Sequence, residues 1–581
     1  MAKNILIISL TRMGDLIQTT PLIKGLRKKH PSARITLMVS SDFADAVSLI
    51  PDIDESVVFN LRQFKDTEDW EDKSWVKIYQ YIELELNKIR DQSFDLLVNL
   101  SHSRFSALMV HYLKIKNVIG FHCNGSGDRM TGHSWMQYFG TEPFNRNYNE
   151  FNLVEIFSRS GGVDPSGMKI NVLDASNGFN LNELIVPYYP SHNDEIHIGF
   201  QIGSSLENRR WSTQSFAKLA DSLVESLNAR ILLFGVASES ASANETIQLA
   251  NHKDQIIDLT GKTDLKQLTG ILKQCQYLVT NDTGTMHLAA ALDTKIIGLF
   301  FAHAHPFETA PYSPGHLIFQ ARIPCAPCSY GVHCNNIVCV EKVLPDHILS
   351  VIKSHMENEK WVLPNSLNAS SEVNVYETVL SSSGIIQLKP LIKHKVEIDD
   401  IFRFAYSVLW RETLDQETRV DFTGVSFGSE IMEDYNCSDF HAMTKGLSQK
   451  VSLLEEMETL GKAGMQICEN IVRISSGERI LPVKLVKFGE DINHVDEKID
   501  LLGMANPELK PIANMFSKRK ENLDGSDISR LGIESRNCYK LLNNESRRLI
   551  EILSDLEQQI STSLSPGYNR HNSIKVAVPG R

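Results

Sequence analysis

The feature that most constrains this chain is a repeated alternation of short apolar runs with longer amphipathic segments. The runs "NILIISL" (4–10), "RITLMV" (34–39) and "FDLLVNL" (94–100) are mostly apolar. Continuous apolar runs are typical of strands that are buried on both faces of a parallel sheet. Because segments with helical periodicity separate these runs, the first third of the chain predicts a doubly wound sheet.

The same pattern starts again near residue 196. The runs "IHIGFQI" (196–202), "ARILLFG" (229–235), "YLVT" (277–280) and "KIIGLF" (295–300) again alternate with helical segments. Two Rossmann-like domains in tandem predict a cleft between them, and open α/β sheets bind ligands beyond the carboxyl ends of their strands. The predicted fold class is therefore α/β, with two Rossmann-like domains facing a cleft and a mainly α-helical C-terminal domain.

The length of the chain and a change in its residue pattern predict the domain organisation. A chain of 581 residues is too long for a single core. After about residue 370 a polar stretch gives way to apolar residues at helical spacing, such as Leu447, Val451 and Leu454. We expect a first Rossmann-like domain over 1–185, a second over 186–360, a linker over 361–400 and a domain of antiparallel helices over 401–581.

Composition excludes some classes of protein. The formal net charge of −12 gives no overall basic surface for nucleic acid. The N-terminus has a short apolar run with no small-residue cleavage site, unlike a signal peptide. No stretch reaches the roughly 18 apolar residues of a transmembrane helix. We therefore expect a cytoplasmic protein that does not bind nucleic acid.

The stretch "VTNDTGTMHLAAAL" (279–292) places a polar cluster at a strand-to-helix junction. The first N–H groups of a helix are unsatisfied and its dipole is positive there, so a phosphate binds well. The cluster consists of Asp282, Thr283, Gly284 and His287. The alternative interpretation is ordinary N-capping by Asp282 or Thr283. The position at a strand's carboxyl end favours a phosphate site.

A second candidate is "GFQIGSSLENRRWS" (199–212), in which a strand leads into Ser204, Ser205 and Arg209. Small hydroxyls and guanidinium groups after a strand suit a diphosphate. The alternative is a solvated loop before a helix that is capped by Ser212. Both interpretations are compatible with each other.

A third candidate is the turn "TRMGD" (11–15), which follows the first strand. Asp15 could act as a general base for an incoming hydroxyl. The alternative is that Asp15 only caps the following helix. The helix dipole lowers the pKa of a carboxyl group there, so the base role requires burial to counter it.

Nine cysteines in a cytoplasmic chain are expected to be thiols or metal ligands rather than disulfides. Four of them form "CAPCSYGVHCNNIVC" (325–339), with the spacing C-x2-C-x5-C-x4-C. Cys325, Cys328, Cys334 and Cys339 could hold a structural zinc or iron ion. The alternative is free thiols in a surface loop. The other five cysteines are predicted to fill the core.

Together these motifs resemble glycosyltransferase family 9, the bacterial lipopolysaccharide heptosyltransferases. The resemblance covers about residues 1–355, where four stretches match in order and spacing: "ILIISLTRMGDLIQTTPLIKGLRKKHP", "FDLLVNL", "IGSSLENRRWSTQSFAKLADSL" and "LVTNDTGTMHLAAALDTKIIGLF". It implies the GT-B fold and an inverting transfer of a sugar from a nucleotide donor, usually ADP-heptose. It also implies that catalysis requires no metal or other cofactor.

The resemblance assigns roles by position. Asp15, in the acceptor-side domain, matches the catalytic base. In the nucleotide-sugar domain, the residues that match the phosphate loop and the motif facing the donor sugar and diphosphate are Ser204, Ser205, Arg209, Asp282, Thr283, Gly284 and His287. Glu239 lies where a ribose-binding carboxylate is expected, and Thr263 lies near the expected adenine pocket. The family usually has Lys at Arg209 and Pro or a small apolar residue at Thr285.

The acceptor remains open between alternatives. One is lipopolysaccharide core or a related surface glycan, and another is a protein such as flagellin or an adhesin, docked by the C-terminal helices. A third alternative is an inactive scaffold that acts through those helices. The basic run "SKRK" (517–520) would allow peripheral contact with anionic lipid at the cytoplasmic face of the inner membrane.

Overall fold

The computed structural model describes residues 3–60, 73–141, 143, 145–174, 196–415, 427–476 and 482–564. These residues divide into two compact units. The first unit contains the described residues up to Ile392 together with 414–415 and 518–524. The second contains 393–413 and the rest of the described C-terminal residues.

The strands are β1 (Asn4–Ser9), β2 (Arg34–Ser40), β3 (Glu55–Phe59), β4 (Leu96–Asn99), β5 (Val118–Cys123), β6 (Arg129–Gly132), β7 (Ile196–Gln201), β8 (Ala229–Phe234), β9 (Ile256–Asp258), β10 (Tyr277–Asn281), β11 (Lys295–Phe300), β12 (Leu317–Ala321), β13 (Val373–Leu380) and β14 (Ile386–Pro390).

The helices follow the strands in the alternation that the sequence predicts. In the first unit the α-helices are α1 (Met13–Gln18), α2 (Thr20–Lys29), α3 (Lys73–Arg90), α4 (Arg104–Leu113), α5 (Ser134–Thr141), α6 (Leu153–Ser160), α7 (Thr213–Leu227), α8 (Ser240–Leu249), α9 (Leu265–Gln274), α10 (Gly284–Ala291), α11 (Pro306–Thr309), α12 (Cys339–Lys342), α13 (Pro345–Asn358) and α14 (Asn365–Asn368). In the C-terminal third they are α15 (Ile398–Leu414), α16 (Phe427–Asp434), α17 (Phe440–Ser475), α18 (Pro482–Ala505), α19 (Lys510–Glu521) and α20 (Ile528–Leu564).

The first Rossmann-like domain contains a six-stranded sheet in the order β3-β2-β1-β4-β5-β6. All neighbouring strands are parallel except β5 and β6, which are antiparallel. The apolar residues of β1, such as Leu6 and Ile8, are fully buried because helices cover the sheet. The strand order reverses between β1 and β4, so this is the point where a ligand site is expected.

The second Rossmann-like domain repeats this arrangement in an eight-stranded sheet, ordered β14-β13-β12-β11-β10-β7-β8-β9. Its strand order reverses between β7 and β10, whose registers align Gln201 with Thr280. An apolar cluster that includes Ile17 and Val154 of the first domain and Phe234 and Met286 of the second joins the two domains. The structure thus confirms the predicted fold class of two Rossmann-like domains followed by a helical region.

One local prediction is wrong. Residues 361–400, predicted as a linker, contain β13 and β14, which extend the second sheet as antiparallel strands. In β13, Val373 and Val375 are buried, while Asn374 between them is partly exposed, as is typical of an antiparallel strand with one face turned toward solvent. After β1 the chain forms two helices, α1 and α2, which are separated at Thr19, two residues before Pro21. The domain boundaries themselves stay a prediction.

The second unit is helical, as predicted. The long helices α17 and α20 pack antiparallel, since Gly461 approaches Asn543 and Gly464 approaches Tyr539. A Cβ atom on Gly464 would lie 2.3 Å from Cε1 of the Tyr539 ring, so glycine is required at this crossing. Within the described part of the chain, no helix combines the length and the apolar character needed to span a lipid bilayer.

Candidate active site

The carboxyl ends of both sheets in the first unit open onto one cleft of about 1040 Å³. Its walls include the turn after β1 in the first domain, and the segments after β7 and β10 in the second. These are the strands at which each sheet reverses its order, so topology explains why residues distant in sequence meet here. Nine residues assigned in the sequence line the cleft: Asp15, Ser204, Ser205, Arg209, Glu239, Asp282, Thr283, Gly284 and His287.

Two glycines bring the walls of the cleft into contact. A Cβ atom on Gly14 would lie 2.9 Å from Cδ2 of His287 and 3.4 Å from Cα of Gly284. A Cβ atom on Gly284 would lie 2.6 Å from the Met13 methyl group. The first turns of α1 and α10 therefore touch through small residues, which places Asp15 of the first domain beside the donor-side motif of the second.

Asp15 is half-buried in the first turn of α1. Its Oδ2 accepts a hydrogen bond from the Arg12 backbone N–H at 3.3 Å, so the capping interpretation is also correct. Burial raises the pKa of Asp15 and outweighs the lowering by hydrogen bonds from Arg12 and Thr11, and the nearby Asp282 raises it further. The burial that the base role requires is present.

The loop after β7 presents hydrogen-bond donors to the cleft. Ser204 and Arg209 are buried, and neither Ser204 Oγ nor Arg209 Nε has a hydrogen-bond partner among the residues that the structure describes. An Nη atom of Arg209 forms an ion pair with Asp282 and donates to the Asp282 backbone carbonyl at 2.9 Å. Arg210 instead holds the loop itself, since its Nε and Nη2 donate to the Ser204 carbonyl at 3.0 and 2.8 Å. Buried donors without partners point to a ligand that is rich in oxygen acceptors.

The N-terminus of α10 is not capped by a side chain, which disfavours the capping interpretation of this motif. Thr283 occupies the N-cap position without a capping hydrogen bond, and the carboxylate of Asp282 faces Arg209 instead. His287 is buried, its Nδ1 has no hydrogen-bond partner, and burial lowers its pKa to about 4. A neutral imidazole and an uncapped helix N-terminus thus face the same region of the cleft.

Glu239 lies beside the donor loop at the end of β8, while Thr263 does not line the cleft. Oε2 of Glu239 accepts a hydrogen bond from the Val236 N–H at 2.9 Å, and burial raises its pKa. A Cβ atom on Gly203 would lie only 1.7 Å from Oε1 of Glu239, so this approach requires glycine. Thr263 is half-buried in the turn before α9.

The cleft also contains residues that the sequence did not assign. Gln201 and Thr285 line it between β7 and α10, and Glu308 and Tyr330 line it near α11. Arg146, from the first domain, donates to Glu308 at 2.6 Å and to the Cys328 carbonyl at 2.8 Å. Gln201 could have been identified from the sequence, because it lies at the carboxyl end of a strand. The ion pair between Arg146 and Glu308 could not, because it leaves no local signal in the sequence.

The metal site predicted at the four clustered cysteines stays a prediction. Cys325 is exposed, whereas Cys339 begins α12 and is buried in the apolar core of the second domain. The Cys334 thiol donates to the Asn336 carbonyl at 3.2 Å. Among the residues that the structure describes, no three His, Cys, Asp or Glu side chains converge to hold a metal ion. The other five cysteines are buried, as predicted: Cys123, Cys275, Cys437, Cys468 and Cys538.

Comparison with known proteins identifies the domain that holds this cleft. The family model described as Glycosyltransferase family 9 (heptosyltransferase) matches residues 86–336. The chain therefore carries a glycosyltransferase family 9 domain. The matched segment contains the donor-side residues from Ser204 to His287, and Asp15 lies before it.

Similarity to curated relatives covers slightly more than half of the chain. Lipopolysaccharide heptosyltransferase 2 of Salmonella typhimurium is 24% identical over 313 residues, which are 53% of this chain and 86% of the relative. Lipooligosaccharide heptosyltransferase 2 of Haemophilus ducreyi is 23% identical and covers 55% of this chain and 88% of its own length. The crystal structure of the family 9 glycosyl transferase from Veillonella parvula has a TM-score of 0.47 at 20% identity, covering 61% of this chain and 96% of its own.

Proposed function

We propose that this chain transfers a heptose, or a similar sugar, from an ADP-sugar to lipopolysaccharide core or a related surface glycan, with inversion at the anomeric carbon. One observation carries the proposal. A half-buried carboxyl group on one wall of the cleft, Asp15, faces a second wall where, within the described part of the chain, buried donors lack partners at Ser204 and Arg209. The relatives reported above, which match slightly more than half of the chain, are named lipopolysaccharide or lipooligosaccharide heptosyltransferases.

Asp15 acts on the acceptor, as the general base of the proposed reaction. As the acceptor hydroxyl attacks the anomeric carbon, Asp15 takes its proton and the acceptor oxygen forms the new glycosidic bond. The bond from the anomeric carbon to the diphosphate oxygen breaks at the same time, and ADP leaves with the electron pair. Attack from the face opposite the leaving group inverts the anomeric configuration.

The donor side stabilises the departing diphosphate. Arg209, the hydroxyls of Ser204 and Ser205, and the N-terminus of α10 supply positive charge and hydrogen-bond donors where negative charge develops. His287 and Asp282 would contact the donor sugar, and Glu239 would hold the ribose. Thr263 is kept as the adenine-side candidate, although its position outside the cleft wall favours it less than Glu239.

The remaining assignments follow from this reaction. We propose that residues 1–185 bind the acceptor, that 186–360 bind the donor, and that the reaction occurs in the cytoplasm. Peripheral contact with the inner membrane would give access to a lipid-linked acceptor. No nucleic acid and no catalytic cofactor takes part in the proposed reaction.

The decisive experiment supplies ADP-heptose and lipopolysaccharide from a strain whose core lacks heptose. We expect release of ADP that depends on the acceptor, and a product whose anomeric configuration, read by NMR, is opposite to that of the donor. The isosteric variant Asp15→Asn is the control for background donor hydrolysis. Retention of configuration would contradict the single-displacement mechanism, and transfer only to a protein fraction would replace the glycan acceptor.

A further inference from the structure

A polar pair joins the two segments of the donor wall beneath the phosphate loop. Gln201 is the last residue of β7, and Thr285 lies in the first turn of α10. The Thr285 hydroxyl donates to Oε1 of Gln201 at 2.9 Å. Both side chains line the cleft, although each is more than nine-tenths buried.

This hydrogen bond fixes which end of the Gln201 amide remains for a ligand. A glutamine side chain has one acceptor oxygen and an NH₂ group with two donor hydrogens. Because Oε1 accepts from Thr285, the Nε2 group is the end that can serve the cleft. Asn281 strengthens the arrangement, since its amide donates to the backbone carbonyls of Gln201 and Gly203, at 3.2 Å each, and ties the ends of β7 and β10 together.

The composition of this pair argues for a ligand. Apolar side chains at these two positions would fill the space without the desolvation penalty of burying a hydroxyl and an amide. Close by, Ser204 Oγ and Arg209 Nε are buried donors without partners. Three donor groups on one strand end and its loop suit a dense group of oxygen acceptors, as a diphosphate is.

Strand order indicates which phosphate Gln201 would contact. The order β10-β7-β8 places the Glu239 segment after β8 on one side of the phosphate loop and the α10 segment after β10 on the other. If Glu239 holds the ribose, the pair between β7 and β10 lies toward the sugar end of the donor. This end carries the terminal phosphate of the diphosphate, the one that AMP lacks.

We propose that Gln201, held in orientation by Thr285, donates a hydrogen bond from Nε2 to the terminal phosphate of the nucleotide-sugar donor. The proposal rests on the proposed function, since it assigns a further contact to the same site. Gln201 is then a binding residue that also stabilises the leaving group, and Thr285 is a positioning residue that acts through it.

The test compares ADP with AMP by calorimetric titration of the full chain. Gln201→Met keeps the length and removes the donor, and we expect its affinity for ADP to fall about ten-fold to a hundred-fold, with little change for AMP. Thr285→Val should shift the ADP-to-AMP affinity ratio in the same direction and by less. Thr285→Ser, which keeps the hydroxyl, should retain the wild-type ADP-to-AMP affinity ratio. In the double variant, the changes in this ratio caused by Gln201→Met and Thr285→Val should be less than additive.

Several results would overturn the inference. If wild type binds ADP and Gln201→Met leaves the ADP-to-AMP ratio unchanged, or loses both ligands equally, the pair is only a brace between β7 and α10. If Thr285→Ser behaves like Thr285→Val, the hydroxyl does not orient the amide. If wild type prefers another nucleoside diphosphate, the same ratio is measured with that nucleotide and its monophosphate. If a folded wild type binds no nucleotide, the proposed function fails and this inference fails with it.

Discussion

A buried charge network within the first unit is centred on Arg159 of α6 and includes Asp415. Arg159 donates to Glu155 at 2.9 Å and forms an ion pair with Asp415, which also accepts a hydrogen bond from Trp135 Nε1 at 2.8 Å. The side chains of Arg159, Glu155 and Asp415 are only 2–3% exposed. We predict that Arg159→Met strongly destabilises the first unit, because it leaves two buried carboxylates without this cation.

The expected magnitude follows from burial. Removing one partner of a buried ion pair costs about 3–5 kcal/mol, because the remaining charge stays desolvated. The matched control is Arg34→Met, which removes the same side chain from an ion pair with Glu55 whose members are 51% and 40% exposed. An exposed pair contributes at most about 1 kcal/mol.

The assay is urea-induced unfolding of both variants beside wild type, with the shift of the first transition midpoint converted to a free energy by its slope. Arg159→Met should lose several times more stability than Arg34→Met. If the two variants differ by less than about 1 kcal/mol, the network is not an important source of stability, and the reasoning from its burial is refuted.

Three further predictions concern the cleft. Asp15→Asn should lower kcat by roughly 10²–10⁴-fold in an ADP-release assay, and an unchanged kcat would exclude a base role. Burial raises the pKa of Asp15 above its ordinary 3.8, and the reaction needs the ionised form. Activity should therefore fall as the pH drops through that raised pKa. A wild-type pH profile without this loss of activity at acidic pH would contradict the assignment. Gly203→Ala should weaken nucleotide binding, because its Cβ atom would collide with Glu239. The control Gly489→Ala, whose Cβ atom meets nothing within 4 Å, should bind nucleotide like wild type. Equal nucleotide affinities of the two variants in a titration would show that the loop adjusts freely.

The sequence predicts the sheets well where burial leaves a simple pattern. Runs such as "KIIGLF" are apolar throughout because their strands are covered on both faces, and β11 occupies 295–300 as expected. In contrast, "VNVYETVL" mixes apolar and polar residues without a continuous apolar run, and the serines on both sides of it predict a linker. Its pairing with β12 depends on residues more than fifty positions earlier, which no local pattern reveals.

The candidate site likewise has features that the sequence predicts and features that it does not. The convergence of Asp15, Arg209 and His287 could be predicted because each follows a strand at the point where its sheet reverses order. The partners within the site could not be predicted. That Arg209 pairs with Asp282 rather than standing free, and that Arg146 reaches Glu308, depends on side-chain packing between distant segments.

The cysteine segment shows what spacing alone leaves open. Four cysteines within fifteen residues predict a metal site, because ligand spacing of this kind is a common signal. A site also requires that the thiols converge on one point, and this depends on packing that the spacing does not reveal. Cys339 lies at the start of α12 in the core of the second domain, while Cys325 lies at the surface.

The most direct test of the central claim, that this cleft binds an ADP-sugar through its diphosphate, is calorimetric titration of the purified chain with ADP, GDP and UDP. The account predicts selective binding of ADP, weakened at least about ten-fold in Arg209→Met and more modestly in Ser204→Ala, with thermal unfolding showing that both variants are folded. Failure of a folded wild-type chain to bind any of the three nucleotides, or equal ADP affinity in all three proteins, would contradict it.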